Sequence, residues 1–358
     1  MTPREPDGRG STDTDAGWDS RYSRQSRFVP LGREGQQRLR TAEVLLVGVG
    51  ALGCHLALSL VRAGVGRIWL VDRDVVEEHN LPRQILFDEE DARRGTPKAE
   101  AAAAHLRRAN AACDIIAVAD EFGPTTLTTL AAQPDLLLDG TDNFATRYVI
   151  NDLAVQRAIP WIYGAAVGSE GMAMAVLPGR TACLRCILPT PPASGDSGTC
   201  ETDGILQPVV AMVTAFQAAQ AIKILAGHAD DVARGVFAAD VWRNHYGLQL
   251  QAAAPNADCE SCALGRFPAL TETEQNLVSL CGRDAVQVRP SRLPSFDLDA
   301  LADRLARAGV AVERTPHLLR FAADRCRFSV FPDGRALVFG EADGRRAMAL
   351  YDRWIGAR

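Results

Sequence analysis

The stretch from Val44 to Gln84 constrains this chain more than any other. Val44-Leu45-Leu46-Val47 is a short apolar run, the pattern of a parallel strand buried on both faces. Gly48, Gly50 and Gly53 follow at once in the spacing Gly-x-Gly-x-x-Gly. Leu56 to Arg62 reads as a helix, apolar on most faces, and Ile68 to Val71 as a second strand that ends at Asp72. Glycines let the backbone turn sharply and approach a ligand closely. A helix that starts there aims free N–H groups and a positive dipole end at phosphate. An acid roughly 20 positions on is placed to accept from a ribose hydroxyl, and Asp72 stands there. A glycine triplet alone also occurs in structural turns. Strand, triplet, helix, strand and acid in this order imply a doubly wound α/β sheet with a nucleotide site.

The chain has 358 residues, room for two domains. A hydrophobic content of 47% with 23% charged residues is ordinary for a soluble globular protein. A formal net charge of −5 offers no long-range attraction to nucleic acid. No apolar run approaches the roughly 20 residues of a membrane span, and no signal-peptide core lies near the start. These features predict a cytoplasmic protein with neither a nucleic-acid nor a membrane partner. Nine cysteines, an odd number with two Cys-x-x-Cys pairs, point to metal or thiol chemistry rather than a disulfide framework.

Residues 1–20 are polar and read as a disordered tail. Arg21-Tyr22-Ser23-Arg24-Gln25 precedes a helix expected over Gly35 to Arg40; on composition alone its arginines form a solvated face. After Asp72-Arg73-Asp74 comes Asn80-Leu81-Pro82-Arg83-Gln84, a loop because of Pro82. It falls at the carboxyl edge of the sheet, where ligands bind, and its Asn, Arg and Gln suit a triphosphate and its base. Pro97-Lys98 opens a helix to about Ala109. A lysine in that first turn opposes the dipole unless an anion is present; a solvated lysine is the alternative. Asp114 to Ala119 and Leu136 to Leu138 are expected strands, the latter followed by Asp139-Gly140-Thr141-Asp142-Asn143, with acids placed for Mg²⁺ or a nucleotide. Arg147 and Asn151 lie on the next helix, and Trp161 to Ala165 and Met172 to Leu177 are further strands.

Cys183-Leu184-Arg185-Cys186 and Cys259-Glu260-Ser261-Cys262 lie about seventy residues apart. Two such pairs suit a four-thiolate structural zinc site that staples distant segments; a redox pair or four unrelated core cysteines are the alternatives. Between them, Pro189 to Thr199 has the composition of a mobile loop and ends at Cys200, a nucleophile candidate because reactivity needs access. Ile205 to Ala226 is an apolar helix, with Pro208 tolerated in its first turn, expected in the core or at a subunit interface. From Pro268 onward, strands over Ala285–Val288, Leu318–Ala322, Cys326–Phe331 and Ala336–Phe339, helices over Leu298–Ala308 and Arg346–Ile355, and an Asp333-Gly334 hairpin turn predict a small α+β domain.

Together these segments resemble the ThiF/MoeB/HesA family, relatives of ubiquitin-activating enzymes, from about Arg21 to Cys262. The resemblance rests on Arg-Tyr-Ser-Arg-Gln, Gly-Val-Gly-Ala-Leu-Gly, Asp-Arg-Asp, Asn-Leu-Pro-Arg-Gln, Pro-Lys-Ala, Thr-Asp-Asn and the paired cysteines, all in family order. It implies a Rossmann-like doubly wound adenylation domain over residues 21–267, with residues 268–358 as an extension of the kind some ThiF-type members carry. The implied activity is adenylation, with Mg-ATP, of the C-terminal Gly-Gly carboxylate of a ubiquitin-like sulfur carrier of the ThiS or MoaD type, for thiamine or molybdopterin biosynthesis. By motif, Gly48, Gly50, Gly53, Asp72, Asp74, Asn80, Arg83, Gln84 and Lys98 would bind ATP, with Arg83 and Lys98 stabilising charge at the transferring centre. Asp142 would bind Mg²⁺. Arg24 would reach the neighbouring ATP across a homodimer. Cys200 would accept or relay the activated carrier or its sulfur, supplied by a desulfurase or rhodanese-like donor. Cys183, Cys186, Cys259 and Cys262 would bind zinc.

Three other readings compete, one of them a non-catalytic carrier-binding module, against which intact Arg24, Lys98 and Asp142 argue. A relative that activates a different carboxylate, such as the tRNA threonylcarbamoyl-adenosine dehydratase, shares the nucleotide motifs, but the cysteine pairs and the Cys200 loop favour a carrier-activating member. An NAD- or FAD-dependent oxidoreductase would use the glycines but leave Asn80, Arg83 and Lys98 without a function.

Overall fold

In the structure, a computed structural model, residues 20–192, 203–250, 254–271, 277–279, 285–289 and 296–356 are described. Cys200 and residues 1–19 of the polar N-terminal stretch lie outside them.

Five strands run parallel in the order β3-β2-β1-β4-β5: β1 (Glu43–Val47), β2 (Arg67–Val71), β3 (Asp114–Val118), β4 (Leu136–Asp139) and β5 (Trp161–Val167). The sheet continues antiparallel through β6 (Glu170–Val176), β7 (Val236–Asp240) and β8 (His245–Gln249). The longer helices are α1 (Gly32–Thr41), α2 (Ala51–Ala63), α3 (Lys98–Ala109), α4 (Phe144–Arg157), α5 (Gln207–Leu225), α6 (Leu298–Arg307) and α7 (Gly344–Trp354).

Successive strand residues point to opposite faces, so one sheet serves two cores. Val44, Leu46, Ile68 and Leu70 face Leu56, Leu60 and Ala102 of α2 and α3. Leu45, Val47, Trp69 and Val71 share the other core with Tyr148, Ile150 and Leu153 of α4. The chain leaves β1 towards β2 and β3, whereas β4 leads the other way to β5. This reversal between β1 and β4 is the switch point at which doubly wound sheets bind ligands.

Helix α5 is the expected apolar core helix, and it corrects the expectation that no apolar run approaches the length of a membrane span. Its 19 residues, with a mean hydropathy of 1.4, are long and apolar enough to cross a membrane by length and composition. Here it is a core helix: Val209, Val210 and Val213 pack with Leu52 and Ala173, while Ala218, Ala221 and Leu225 join the core above β1.

Past residue 268 a second sheet forms, all antiparallel, in the order β11-β12-β13-β14-β10-β9, from β9 (Leu277–Ser279), β10 (Ala285–Val288), β11 (Val312–Arg314), β12 (Leu319–Ala323), β13 (Cys326–Val330) and β14 (Ala336–Phe339). Val286, Phe321, Phe328 and Val338 face the apolar sides of α6 and α7. Asp297 and Asp343 cap those helices by accepting their first free N–H groups. The opposite sheet face presents Ala285, Leu318, Phe331 and Leu337, which pack with Val75 just beyond β2. The expected hairpin turn is present: Gly334, at φ +80°, follows Asp333, whose Oδ1 accepts from the Arg335 N–H.

Candidate active site

The turn after β1 is built from glycines because no side chain fits. A Cβ on Gly53 would lie 2.1 Å from the Gly48 carbonyl oxygen, and one on Gly140, after β4, 2.4 Å from the same atom. Gly48 adopts φ +83°, which disfavours other residues. Gly50 differs: a Cβ there would meet only Gln84, at 3.8 Å, so its open side faces the cavity. Helix α2 begins at the next residue with no side chain capping it, which leaves its first N–H groups for a ligand. Gly48, Gly50, Ala51 and Leu52 line one cavity together with Asp72, Asp74, Arg83, Gln84, Lys98 and Asp142.

Asp72 is turned inward. One oxygen accepts from the Val49 N–H at 2.7 Å and the other from the Asp74 N–H at 2.7 Å, so the carboxylate ties the glycine turn to the end of β2. Burial pushes its carboxyl up from the ordinary value, with Lys98 opposing and Asp74 adding to the rise. Lys98 is buried at the start of α3; its Nζ lies 3.2 Å from an Asp74 oxygen, and its N–H donates to the Asp74 carbonyl. Arg83 donates to the His79 carbonyl at 2.7 Å and borders the cavity. Asn80 is fully buried and does not line it; its Oδ1 accepts from the Glu77 N–H. Asn80 Nδ2 and Gln84 Oε1 are buried without a hydrogen-bond partner among the described residues. Buried amides are ordinarily satisfied, and Gln84 faces the cavity, so a polar ligand fits there.

Asp142 is exposed on the loop after β4. The preceding acid, Asp139, has a different place. It is fully buried and accepts from Arg147 Nε at 3.1 Å, the Thr141 hydroxyl at 2.7 Å and the Thr141 N–H at 2.8 Å. Arg147 also donates to the carbonyls of Thr141 at 2.7 Å and Gly164 at 3.0 Å. This buried pair, which the sequence reading did not connect, fixes the loop that carries Asp142. The spacing from strand end to helix face, Asp139 to Arg147, was its only signal.

The far wall of the cavity comes from the β7–β8 hairpin, including Asp240, Arg243 and Tyr246; the sequence reading contains neither strand. Arg24 is exposed and does not border the cavity.

The four cysteines of the two pairs do meet. Their sulfur atoms all lie within 4.8 Å of one another, with Cys183–Cys259 at 3.6 Å, Cys183–Cys186 at 3.8 Å and Cys186–Cys262 at 3.4 Å. Tetrahedral thiolates at ~2.3 Å from a zinc ion would be about 3.8 Å apart, so the donor set fits such an ion. Asp152 fastens this cluster to α4, accepting from Arg185 through both oxygens at 2.9 Å and from the Ser261 hydroxyl at 2.8 Å.

A glycine turn at the switch point of a doubly wound sheet, with a buried lysine and an arginine beside it, defines a nucleotide-binding α/β protein. Residues 22–261 match the model of the ThiF family. The chain belongs to the ThiF family. It is 40% identical over 337 residues to the sulfur carrier protein ThiS adenylyltransferase of Bacillus subtilis, covering 94% of this chain and 99% of that protein. It is 39% identical over 266 residues to the adenylyltransferase and sulfurtransferase MOCS3 of Sus scrofa, covering 74% of this chain but only 57% of that longer protein. Among solved structures, E. coli MccB in complex with MccA-N7isoASN superposes with a TM-score of 0.58 at 22% identity, over 71% of this chain and 75% of that one. At that identity the likeness shows the fold alone.

Proposed function

We propose that the chain uses ATP to adenylate the C-terminal Gly-Gly carboxylate of a ubiquitin-like sulfur carrier protein and releases pyrophosphate. The observation that carries this reading is the size and division of the cavity. At about 2110 Å³ it exceeds the roughly 300–1,000 Å³ of a site for one small ligand. The glycine turn, Lys98 and Arg83 line one end, and the β7–β8 hairpin lines another, where an extended peptide tail has room. The match to the ThiS adenylyltransferase along nearly its whole length supports the same reading.

In the reaction a carboxylate oxygen attacks the α-phosphorus, the bond to the β-phosphate oxygen breaks, and pyrophosphate leaves with the displaced electron pair. The attacking carboxylate is already deprotonated, so the site needs no general base. It needs positive charge and alignment, because two anions must meet. The turn at Gly48–Gly50 and the start of α2 receive phosphate, Gly53 allows their approach, and Asp72 receives ribose. Gln84 bounds the nucleotide, Asn80 holds the loop that carries it by accepting from the Glu77 N–H, and Lys98, oriented by Asp74, and Arg83 stabilise the charge that develops. Asp142 would hold Mg²⁺, which neutralises phosphate charge when bound. Cys183, Cys186, Cys259 and Cys262 would hold a structural zinc ion. Arg24 acts on the ATP of a second copy, so the working unit is a homodimer. Cys200 takes part in the later sulfur step, with a desulfurase or rhodanese-like protein as donor. Residues 268–358 form a separate α+β domain.

The test is ATP–pyrophosphate exchange with ThiS-like and MoaD-like carriers, each intact and without its terminal glycine. Exchange that requires an intact carrier is expected. No exchange with either, while ATP still binds, would overturn the reading in favour of another carboxylate.

A further inference from the structure

The second sheet does not simply follow the nucleotide-binding part. Its second apolar face, around Ala285, Leu318, Phe331 and Leu337, is laid on the carboxyl ends of β2 and β3, and a fully buried arginine lies in the seam. Arg335 is 2% exposed, and its guanidinium stacks on Phe331 at 3.9 Å. Nη1 donates to the Arg73 carbonyl at 2.6 Å and Nη2 to the Ala119 carbonyl at 3.5 Å. Burying a guanidinium is costly, and an apolar side chain of the same length would fill the seam more cheaply. What arginine adds is a planar pair of donors that bridges the ends of two neighbouring strands.

The position of that bridge matters. The Arg73 carbonyl belongs to the same planar peptide as the Asp74 N–H. That N–H is the one held by Asp72 Oδ1 at 2.7 Å. One peptide is therefore gripped from both sides, by Asp72 through its N–H and by Arg335 through its carbonyl. On either side of it stand Asp72, which also holds the Val49 N–H of the glycine turn, and Asp74, which pairs with Lys98. A second strut runs parallel: Gln287 of β10 donates to Glu121 at 3.3 Å, and Glu121 pairs with Arg73 at 2.5 Å. Arg73, Asp74 and Glu121 all border the cavity.

We infer that Arg335 is a positioning residue for the nucleotide: through the Arg73–Asp74 peptide, the C-terminal sheet sets Asp72, Asp74 and Lys98 for ATP. The inference rests on the nucleotide site of the proposed function but not on the identity of the acyl acceptor.

The test uses the full chain with Arg335→Met, Arg335→Lys and Gln287→Leu. ATP affinity is read by calorimetry without a carrier, and KM and kcat by pyrophosphate release with one, all well below each variant's melting temperature. Arg335→Met is expected to weaken ATP binding and raise the KM for ATP about tenfold, by analogy with the loss of a supporting contact behind a ligand. The carrier KM should stay within about twofold, since no carrier-side wall is touched. Arg335→Lys should recover part of the loss, and Gln287→Leu should show a smaller shift in the same direction. A lowered melting temperature with unchanged ATP affinity in both Arg335→Lys and Gln287→Leu would overturn the inference, even if Arg335→Met fails to fold. Wild-type protein that binds ATP but activates no carrier would overturn the proposed function alone. A weakened ATP affinity in the variants would still support the inference in that case.

Discussion

Replacing Arg147 with methionine keeps the length of the side chain but removes its charge and three buried hydrogen bonds. Asp139 then remains fully buried, with only Thr141 and the Gly164 N–H to compensate it. Removing one partner of a buried ion pair costs ~3–5 kcal/mol. The carbonyls of Thr141 and Gly164 each lose a charged donor as well, which places the expected loss near the upper end of that range. Urea unfolding measures it, and pH identifies its cause. Burial already pushes the Asp139 carboxyl up, against Arg147 and Thr141. Without Arg147 it rises further. A carboxyl whose folded pKa lies above its unfolded one destabilises the fold as pH rises through the folded value, and protonation below that value relieves the cost. The stability gap between variant and wild type should therefore be larger at about pH 7 than at about pH 5. Adding Asp139→Asn to Arg147→Met should recover part of the loss at about pH 7, because no charge is left stranded. An equal gap at both pH values, or a double variant no better than the single, would refute the buried-charge argument.

Lys98→Ala should leave the fold intact, since its partner Asp74 is partly solvated, and lower carrier-dependent pyrophosphate release ~10²–10³-fold, the usual cost of removing one preorganised charge donor; near-normal turnover would contradict its place beside the phosphates. Gly53→Ala should destabilise the glycine turn and abolish ATP binding, because its Cβ would meet the Gly48 carbonyl at 2.1 Å; calorimetry with wild-type affinity would show that the turn can shift. Cys183→Ser should release metal and lower the melting temperature, as ligand thiolates couple metal binding to folding; metal analysis that finds no zinc in a stable wild type would remove the zinc site. Tyr351→Phe should cost about 1–2 kcal/mol, because the Gly334 carbonyl loses the hydroxyl that reaches it at 2.7 Å; no change in urea midpoint would show that this bond is dispensable.

The nucleotide half of the molecule is legible because local rules agree there. Pro97 marks the start of α3, and Gly48, Gly50 and Gly53 punctuate a strand and a helix with distinct periods. The expected strands at Asp114, Leu136 and Trp161 form at those residues. By contrast, β8 is an edge strand exposed along its whole length, so it has no alternation of buried and solvated positions to read. The turn that joins β7 to it contains neither glycine nor proline, the reversal being made by Asn244 at φ +57°. The mate of a buried charge is equally hidden. Nothing local distinguishes Asp139, held inside by Arg147, from Asp142, exposed three residues later. The charge of Arg335 gave no hint either: a hairpin arginine reads as solvated, and its burial arises only because a distant sheet edge provides two carbonyls.

Helix α5 has a consequence for the order in which the protein is made. It packs against α2 and against β5 and β6, and Gln217 on it donates to the Asp139 carbonyl at 3.0 Å beside the nucleotide loop. Chains are synthesised from the N-terminus, and domains fold as units. The strands β1 to β6 thus exist on the ribosome before the helix that covers one side of them. Until residue 225 has emerged, the nascent sheet presents Leu52, Ala166 and Ala173 to solvent. The complete site is a late event in biosynthesis, and a ribosome stalled before Gln207 would carry a sticky half-sheet that needs a chaperone.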